Sequence, residues 1–429
     1  MRKRPRKKNR KKRKPTDPPV GPAVSKTLTI ERLDPVTGHG VVFDAGDILT
    51  LAFTAPGDEI TVSDGTVTPG APISDCRRSP PCPHFGECGG CQLQHIADDA
   101  LADWKRSIVQ DALGRHDVDA PVAPTITVPA ASRRRARFTL QRTKKTAPFG
   151  FRAAGEHRIV DMQTCAILTP DIVTALPSLR AIALAGAPRK RAVTLQVTQT
   201  DAGLDVMAEE MKGMDLPLQE TLSGIAERAD LARLVWNGEL LLQRRPPELR
   251  FGSAVVRPPP GAFLQAARET ETVILDILRT AIGEAKNIVD LFCGLGTFAL
   301  PLAEKAAVTA IDSDPAMIAA LDAGARTCPA LRPVTAQTHD LFRNPLLPDD
   351  LARFDAVVID PPRTGAKAQV EHLAASMVPA IAMVSCNPAT FARDARTLID
   401  GGYRPGPIVP IDQFRWSPHT EVVGIFRRA

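Results

Sequence analysis

Residues 287–298 read Asn-Ile-Val-Asp-Leu-Phe-Cys-Gly-Leu-Gly-Thr-Phe, a short apolar run that leads into a glycine-containing turn. Such a run is typical of a buried strand in a parallel sheet. Gly294 and Gly296 permit a tight turn and a close approach of the backbone to a ligand. Ligands of open α/β sheets bind at the carboxyl ends of the strands, so this turn is predicted to border a ligand site.

The sequence after this turn repeats the same rhythm. Helical segments alternate with short apolar runs at 308–312, 356–360 and 380–385. This alternation predicts an α/β fold, a doubly wound parallel sheet that occupies residues 255–429. The run after the glycine turn ends at Asp312, 22 residues beyond Asp290. A carboxylate there can accept hydrogen bonds from both hydroxyls of a ribose.

The turn lacks two signatures of phosphate binding. The sequence contains no complete Gly-x-Gly-x-x-Gly run and no Gly-Lys-Ser/Thr loop, which argues against dinucleotides and nucleoside triphosphates. S-adenosylmethionine has a ribose and no phosphate, so it requires neither motif. Asp340, after the third strand region, is a candidate for binding the adenine amino group, although it also suits a helix or turn cap.

Two more loops follow predicted strands and bring chemistry to the same edge of the sheet. They read Asp360-Pro361-Pro362-Arg363 and Ser385-Cys386-Asn387-Pro388. Asp-Pro-Pro loops are frequent in methyltransferases that act on amino groups, but the second loop adds a thiol at the end of a strand. A buried structural cysteine is the alternative interpretation of Cys386.

The charge of the chain is unevenly distributed. The formal net charge is +6, yet residues 1–14 hold eleven Lys or Arg and no acid, which leaves 6 − 11 = −5 for the rest. We expect residues 1–22 to form a disordered basic tail and linker, because like charges repel and nothing apolar can collapse. The tail suits nonspecific binding of phosphates, as in RNA, or acts only as a solubilising extension.

Two further domains are predicted between the tail and the α/β domain. Residues 23–72 contain short β-like runs punctuated by glycine and proline, which favours a small β-barrel. Residues 73–254 form a central, mixed β-rich domain that begins with a cysteine segment and a helix at 99–114. An arginine cluster in this domain either meets RNA phosphates or forms a solvated strand edge; its members are Arg133, Arg134, Arg135 and Arg137.

Three of the eight cysteines are closely spaced. Cys82, Cys88 and Cys91 are separated by five and two residues, a clustering typical of Fe–S or zinc sites. The spacing does not separate the two metals, and a fourth ligand is needed. Cys76 is either a spare thiol or a competing ligand. Because no apolar stretch follows the basic start and no run suits a membrane span, we expect a cytoplasmic protein that does not bind membranes.

The two C-terminal loops together resemble the uracil-C5 RNA methyltransferases. The resemblance lies in Asp360 to Gly365, in Val384 to Thr390, and in Asp412-Gln413-Phe414 followed by His419-Thr420-Glu421. It continues through further short stretches, which are Phe263 to Gln265, Asp290 to Phe298, Gly150 to Arg152, and Ile159 to Asp161. It therefore extends over nearly the whole chain after the tail.

The resemblance implies a role for each matching residue. Cys386 is the nucleophile that adds to C6 of uracil, Glu421 is the general base that removes the C5 proton, and the target base flips out of its stack. Arg363 orients the loop or the base, and Phe263 is a candidate RNA contact. The residues implied to bind S-adenosylmethionine or to line its pocket are Gln265, Phe292, Gly294, Asp312, Asp340 and Asp360.

The resemblance also completes the metal site and suggests a substrate. It supplies Cys165 as the fourth cysteine and implies a [4Fe-4S] cluster, with zinc as the chemical alternative. Family members with both the cluster and an N-terminal barrel of the TRAM type mostly act on 23S rRNA, so rRNA is expected here and tRNA is the alternative. A non-catalytic RNA-binding assembly factor and an iron–sulfur redox sensor are the rivals from other classes. We expect a monomer.

Two positions depart from the family pattern. The usual Asn two residues beyond Gln265 is Ala267, which is expected to loosen a local cap or contact. Phe414-Arg415-Trp416-Ser417-Pro418 replaces the usual Phe-Pro sequence before His419, which is expected to reshape the entry to the site.

Overall fold

A computed structural model describes residues 25–63 and 66–429, so the predicted basic tail at 1–22 lies outside the described residues. The first β unit has two three-stranded antiparallel sheets, ordered β1-β5-β6 and β2-β3-β4. Its small core contains Ile30, Val42, Ile60 and Val62. The strands are β1 (Ser25–Thr29), β2 (Arg32–Leu33), β3 (Gly40–Asp44), β4 (Asp47–Leu51), β5 (Glu59–Ser63) and β6 (Thr66–Pro69).

The central domain is built on a six-stranded sheet in the order β13-β12-β11-β10-β8-β9. Two helices cover one face, where apolar side chains of α2 and α3 share a core with the sheet. The elements are β8 (Arg135–Gln141), β9 (Phe149–Gly150), α2 (Pro170–Gly186), β10 (Ala192–Thr200), β11 (Gly203–Glu209), α3 (Leu216–Arg228), β12 (Arg233–Trp236) and β13 (Glu239–Gln243).

The C-terminal domain contains a nine-stranded sheet whose main order is β18-β17-β16-β19-β20-β23-β22-β7. The strands from β18 to β20 are parallel, and β23 is antiparallel to both β20 and β22. The strands are β16 (Asn287–Leu291), β17 (Ala307–Asp312), β18 (Val334–Thr338), β19 (Ala356–Ile359), β20 (Ala380–Ser385), β21 (Tyr403–Pro405), β22 (Val409–Asp412) and β23 (Glu421–Arg428).

Helices cover both faces of this sheet, as the sequence predicts for a doubly wound fold. A hairpin of β14 (Leu249–Phe251) and β15 (Ala254–Val256) packs into the core on one face. The helices are α4 (Arg268–Ile282), α5 (Ala299–Leu302), α6 (Pro315–Arg326), α7 (Pro348–Leu351), α8 (Lys367–Ala375) and α9 (Pro388–Asp400). At the start of α4, Ala267 provides no side-chain cap, as expected from its replacement of Asn.

One helix crosses the boundary drawn from the sequence. Helix α1 (Asp98–Gly114) matches the predicted helix 99–114, and β7 (Ile126–Thr127) follows it. Both belong by sequence to the 73–254 segment, yet α1 packs against α9 and β7 joins the C-terminal sheet beside β22. An apolar helical stripe does not specify its partner, so this docking is decided by tertiary packing. In the part of the chain that is described, no helix is long and apolar enough to cross a membrane.

Candidate active site

The glycine turn after β16 has the geometry expected of a ligand loop. Gly294 has φ +55° and Gly296 has φ +84°, conformations that side chains with a Cβ rarely adopt. A Cβ on Gly296 would lie 2.8 Å from Cδ1 of Leu321. Phe292 also has a positive φ, +64°, and local strain of this kind is concentrated at functional sites.

Asp312 and Asp340 lie at the ends of neighbouring strands. One carboxylate oxygen of Asp312 accepts a hydrogen bond of 3.0 Å from the Gly294 amide, and the other accepts one of 2.9 Å from Asp314. The bond from Gly294 joins the ends of β16 and β17, where the ribose site is predicted. Asp340 accepts a 3.0 Å bond from the Phe342 amide, so it does act as a turn cap. The Phe342 ring lies 5.2 Å from that of Phe292.

Strand register brings the two predicted reaction groups together. Strands β20 and β23 are antiparallel, and Ser385 pairs with Val422. Continuing this register by one residue sets Cys386 opposite Glu421, the first residue of β23. The thiol follows directly from the buried strand β20, and α9 begins two residues later at Pro388.

Two glutamines connect two buried carboxyl groups in this site. The amide nitrogen of Gln265 donates to Asp360 at 3.0 Å. The amide nitrogen of Gln413 donates to the Gln265 carbonyl oxygen at 2.9 Å and to Oε2 of Glu421 at 2.8 Å. A continuous side-chain network therefore runs from the Asp-Pro-Pro loop to the start of β23. The sequence motif contains Gln413, but we did not predict its role as a bridge.

The buried carboxyl groups hold their protons unusually tightly. Burial raises the pKa of Asp360 to about 7. Burial, and then repulsion from Asp360, raise the pKa of Glu421 to about 8. Asp290, at the end of β16, has its pKa raised well above the ordinary value, chiefly by burial and then by Asp360. Clustering of perturbed acids is typical of functional sites, because proton transfer requires groups that titrate near neutral pH.

The pKa of the Cys386 thiol also depends on burial and on these acids. Burial raises the pKa of its thiol to about 11, with further contributions from the charges of Glu421 and Asp360, whereas Arg363 lowers it. A pKa this high keeps the sulfur as a thiol at neutral pH, so forming the reactive thiolate requires a change in neighbouring charge.

The loop that contains Arg363 is tied to both C-terminal motifs. The backbone carbonyl oxygen of Arg363 accepts a 3.1 Å hydrogen bond from the side chain of Asn387, next to Cys386. The Arg363 guanidinium lies 3.3 Å from Nδ1 of His419. Burial, and then the Arg363 charge, lower the pKa of His419, which favours a neutral imidazole. Arg363 is thus positioned between the segments that carry the thiol and the carboxylate.

The predicted RNA-contacting arginines have three different environments. Arg135 stacks over the exposed ring of Phe263, with its guanidinium carbon 5.2 Å from the ring centre. Arg133 lines a groove between the cysteine segment and the loop before Glu421. Arg134 is 4% exposed and forms an ion pair with Glu271, which indicates a structural role in place of phosphate contact. The arginine run alone did not reveal this inward orientation, because Arg134 directly precedes β8 and its buried partner Glu271 lies 137 positions further along the chain.

The four predicted cysteine ligands line one pocket. Cys82, Cys88, Cys91 and Cys165 surround it together with apolar side chains that include Phe151 and Met162. Burial raises the pKa of Cys91 to about 12. In the described ranges, no three His, Cys, Asp or Glu side chains are close enough to hold a single metal ion. Cys76 does not line the pocket.

Comparison with known proteins agrees with this geometry. A family model described as a methyltransferase domain matches residues 288–378, and one described as tRNA (uracil-5-)-methyltransferase matches residues 344–429. An uncharacterized RNA methyltransferase of Rhizobium meliloti is 40% identical over 94% of this chain and 99% of its own length. The 23S rRNA (uracil(1939)-C(5))-methyltransferase RlmD of Edwardsiella ictaluri is 30% identical over 95% of this chain and 97% of its own length.

The chain belongs to the uracil-C5 RNA methyltransferase family. The resemblance inferred from the two C-terminal motifs is therefore confirmed. A solved structure of a family member is also similar in fold. It is the tRNA (uracil-54, C5)-methyltransferase of Pyrococcus abyssi in complex with S-adenosyl-L-homocysteine, with a TM-score of 0.71 and 24% identity, covering 93% of this chain and 99% of that chain. The α/β methyltransferase fold predicted for this member of the uracil-C5 family is confirmed.

Proposed function

We propose that this chain methylates C5 of a uridine in 23S rRNA, with S-adenosylmethionine as the methyl donor. Membership of the uracil-C5 family supports the reaction class. The similar protein from Edwardsiella ictaluri, which carries a 23S rRNA name and matches almost end to end, supports the substrate. The observation that carries the proposal is the strand register that sets Cys386 opposite Glu421.

The proposed reaction uses these two residues in sequence. Bound S-adenosylmethionine supplies an electrophilic methyl group. The Cys386 sulfur adds to C6 of uracil and the displaced electron pair forms an enolate, which makes C5 nucleophilic enough to take the methyl group. Glu421 then removes the proton from C5, the C5–C6 double bond forms again, and the C6–sulfur bond breaks. The sulfonium that gives up the methyl group leaves as S-adenosylhomocysteine, so the products are 5-methyluridine, S-adenosylhomocysteine and the Cys386 thiolate, and the C5 proton stays on Glu421.

The charges around Cys386 suggest how the thiol ionises. Glu421 and Asp360 raise its pKa, and Arg363 opposes them. A cationic ligand next to Asp360 attracts negative charge. It therefore lowers the pKa of the Asp360 and Glu421 carboxyl groups and of the Cys386 thiol, which favours the thiolate. Binding of the positively charged methyl donor and activation of the nucleophile are therefore linked in this proposal.

The proposed binding site for the methyl donor lies along the ends of β16 to β19. Asp312 would accept hydrogen bonds from the ribose, and the Phe292–Phe342 pair borders the adenine side with Asp340. Gln265 and Asp360 lie nearest to the reaction groups through the glutamine network. Gly294 allows the backbone to approach the ligand because its φ is positive.

We further propose a [4Fe-4S] cluster in the cysteine pocket. The lining of this pocket fits such a group, because four thiols converge there among apolar side chains. Among the residues that line it, His84 is the one side chain that could compete with the thiols as a ligand. Zinc is the chemical alternative, because four cysteine thiolates also suit a tetrahedral zinc site. Cys82, Cys88, Cys91 and Cys165 would hold the cluster. The methyl transfer needs no electron, so we assign the cluster a structural or RNA-positioning role.

A tRNA substrate is the alternative within the same class. The fold resembles an enzyme whose name specifies tRNA, and one family model carries a tRNA name. A non-catalytic assembly factor is the alternative from another class. It would bind RNA without forming product, and the thiol, base and cofactor loop would have no use.

Labelled methyl donor distinguishes these possibilities. The purified protein should transfer label to unmodified 23S rRNA, with 5-methyluridine as the product, and should leave tRNA unlabelled. RNA containing 5-fluorouridine should form a covalent adduct, because fluorine cannot leave C5 as a proton does. Cys386→Ala should abolish the adduct, whereas Cys328→Ala, outside the site, should not. Absence of both label and adduct would favour the assembly factor, and label in tRNA alone would favour the alternative substrate.

A further inference from the structure

The loop between β22 and β23 contains Gln413 and leads directly into Glu421, the last two side chains of the glutamine network. We call residues 413–420 the base loop, because Gln413 begins it and Glu421 directly follows it. The loop turns sharply, and Trp416 within it has φ +59°. A non-glycine residue in this conformation persists only where its surroundings hold it. The attachments of the base loop should therefore control where the Glu421 carboxylate points.

Lys105 of helix α1 is the most buried of these attachments. Its side chain is 0% exposed, and its ammonium group forms an ion pair with Asp412, the last residue of β22. The same nitrogen donates to the carbonyl oxygens of Phe414 at 3.3 Å and His419 at 2.8 Å. A lysine ammonium has three donors, so all three are used, and they connect both ends of the base loop.

A second set of contacts reaches the loop from the same side. The carbonyl oxygen of Trp416 accepts hydrogen bonds of 2.9 Å from the amides of both Gln92 and Leu93. The guanidinium of Arg415 donates to Asp98 at 2.6 Å. These partners lie between the cysteine segment and the start of α1. The base loop is thus docked on residues 92–105, more than 300 positions earlier in the chain.

We propose that Lys105 is a positioning residue for proton removal by Glu421. It touches neither substrate nor methyl donor in this proposal; it acts by fixing the two ends of the base loop through Asp412, Phe414 and His419. A buried ammonium is costly to desolvate and is retained where it has a specific role or a well-paired partner. A structural role alone predicts loss of stability on substitution. Positioning predicts a defect confined to the step that uses Glu421.

The test separates these roles by removing the charge of Lys105 together with that of its partner Asp412, so that neither charge is left buried and unpaired. Lys105→Met combined with Asp412→Asn neutralises both groups and eliminates the contacts to the two carbonyl oxygens. Lys367→Met with Glu371→Gln provides a control at an exposed lysine–glutamate pair in α8.

We expect the double variant to fold, judged by its melting temperature, and to bind RNA with unchanged Kd. Its kcat should fall about 10- to 100-fold, because a small misplacement of a reacting group has effects of this size. Denaturing gels should reveal a covalent protein–RNA adduct accumulating on ordinary uridine RNA, because methylation proceeds and elimination is slow. The α8 control should turn over without adduct.

This inference rests on the proposed function, and the two fail differently. If 5-fluorouridine RNA forms no adduct with the natural protein, the proposed function fails. If that adduct forms and the folded double variant turns over normally on uridine RNA, the Lys105 inference is overturned and the function stands. Should the methionine variant not fold, Lys105→Gln with Asp412→Asn serves the same comparison, because the shorter amide cannot reach both ends of the base loop.

Discussion

The side-chain nitrogen of Gln413 lies 2.8 Å from Oε2 of Glu421 and donates a hydrogen bond to it. The same amide also reaches Gln265, which in turn donates to Asp360. Two neutral amides thus join two buried acids whose pKa values are raised to about 7 and about 8. The arrangement orients the proposed base and links its ionisation to that of the acid nearest the proposed methyl-donor site.

Removing this bridge should shift the pH dependence of the reaction. The Gln413 hydrogen bond lowers the pKa of Glu421, so Gln413→Met should raise it further. The base acts when deprotonated, and the rising limb of the single-turnover rate should therefore move to higher pH, by about one unit. Gln219→Met, on the exposed side of α3, provides the control. An unchanged midpoint in the Gln413 variant would contradict the assigned role of the bridge.

Glu421 should also make stability depend on pH. Its pKa is raised from 4.5 to about 8, so the folded chain binds more protons than the unfolded chain between these values. The natural protein should lose stability as pH rises through this window, and Glu421→Gln should lose less, because only Asp360 and Asp290 of the three raised acids still titrate in it. The free energy of unfolding of the variant, measured in urea relative to the natural chain, should rise by up to about 1.4 kcal/mol per pH unit. Parallel pH curves for the two proteins would disprove this, and Glu371→Gln in α8 serves as the exposed control.

The cysteine pocket predicts which thiols are needed for metal. Cys165→Ser should remove iron and acid-labile sulfide from the purified protein, because three cysteines leave one position of the proposed cluster without its thiolate. Cys76→Ser should retain both, since this residue does not line the pocket. Elemental analysis and visible absorption measure the outcome. Stoichiometric zinc in place of iron would favour the alternative metal.

The inward orientation of Arg134 predicts a stability defect. Arg134→Ala leaves the Glu271 carboxyl buried without its ion-pair partner and should lower the free energy of unfolding by about 3–5 kcal/mol. Arg137→Ala, whose side chain is 67% exposed, should change it by less than about 0.5 kcal/mol. Urea unfolding provides the measurement. If the two substitutions lower the free energy of unfolding equally, the buried ion pair stabilises the fold no more than an exposed pair does.

Much of the site was predictable because its chemistry lies at the ends of local elements. The apolar runs correspond to β16, β17, β19 and β20; Asp312 ends β17, and Asp360 and Cys386 directly follow β19 and β20, as expected. Parallel strands bring their carboxyl ends to one edge, so sequence order alone brings these groups near each other. The cysteine spacing similarly predicted a shared pocket for Cys82, Cys88 and Cys91.

The sequence by itself determined the doubly wound sheet, its glycine turn and the two motif loops, because periodicity and turn chemistry act over a few neighbouring residues. Only the tertiary structure decided that β23 runs antiparallel to β20 with Cys386 opposite Glu421, that Gln413 bridges two acids, and that Lys105 holds the base loop. These contacts join residues up to 314 positions apart. Their formation depends on which buried polar groups find partners once the chain is packed, and no local pattern specifies that choice.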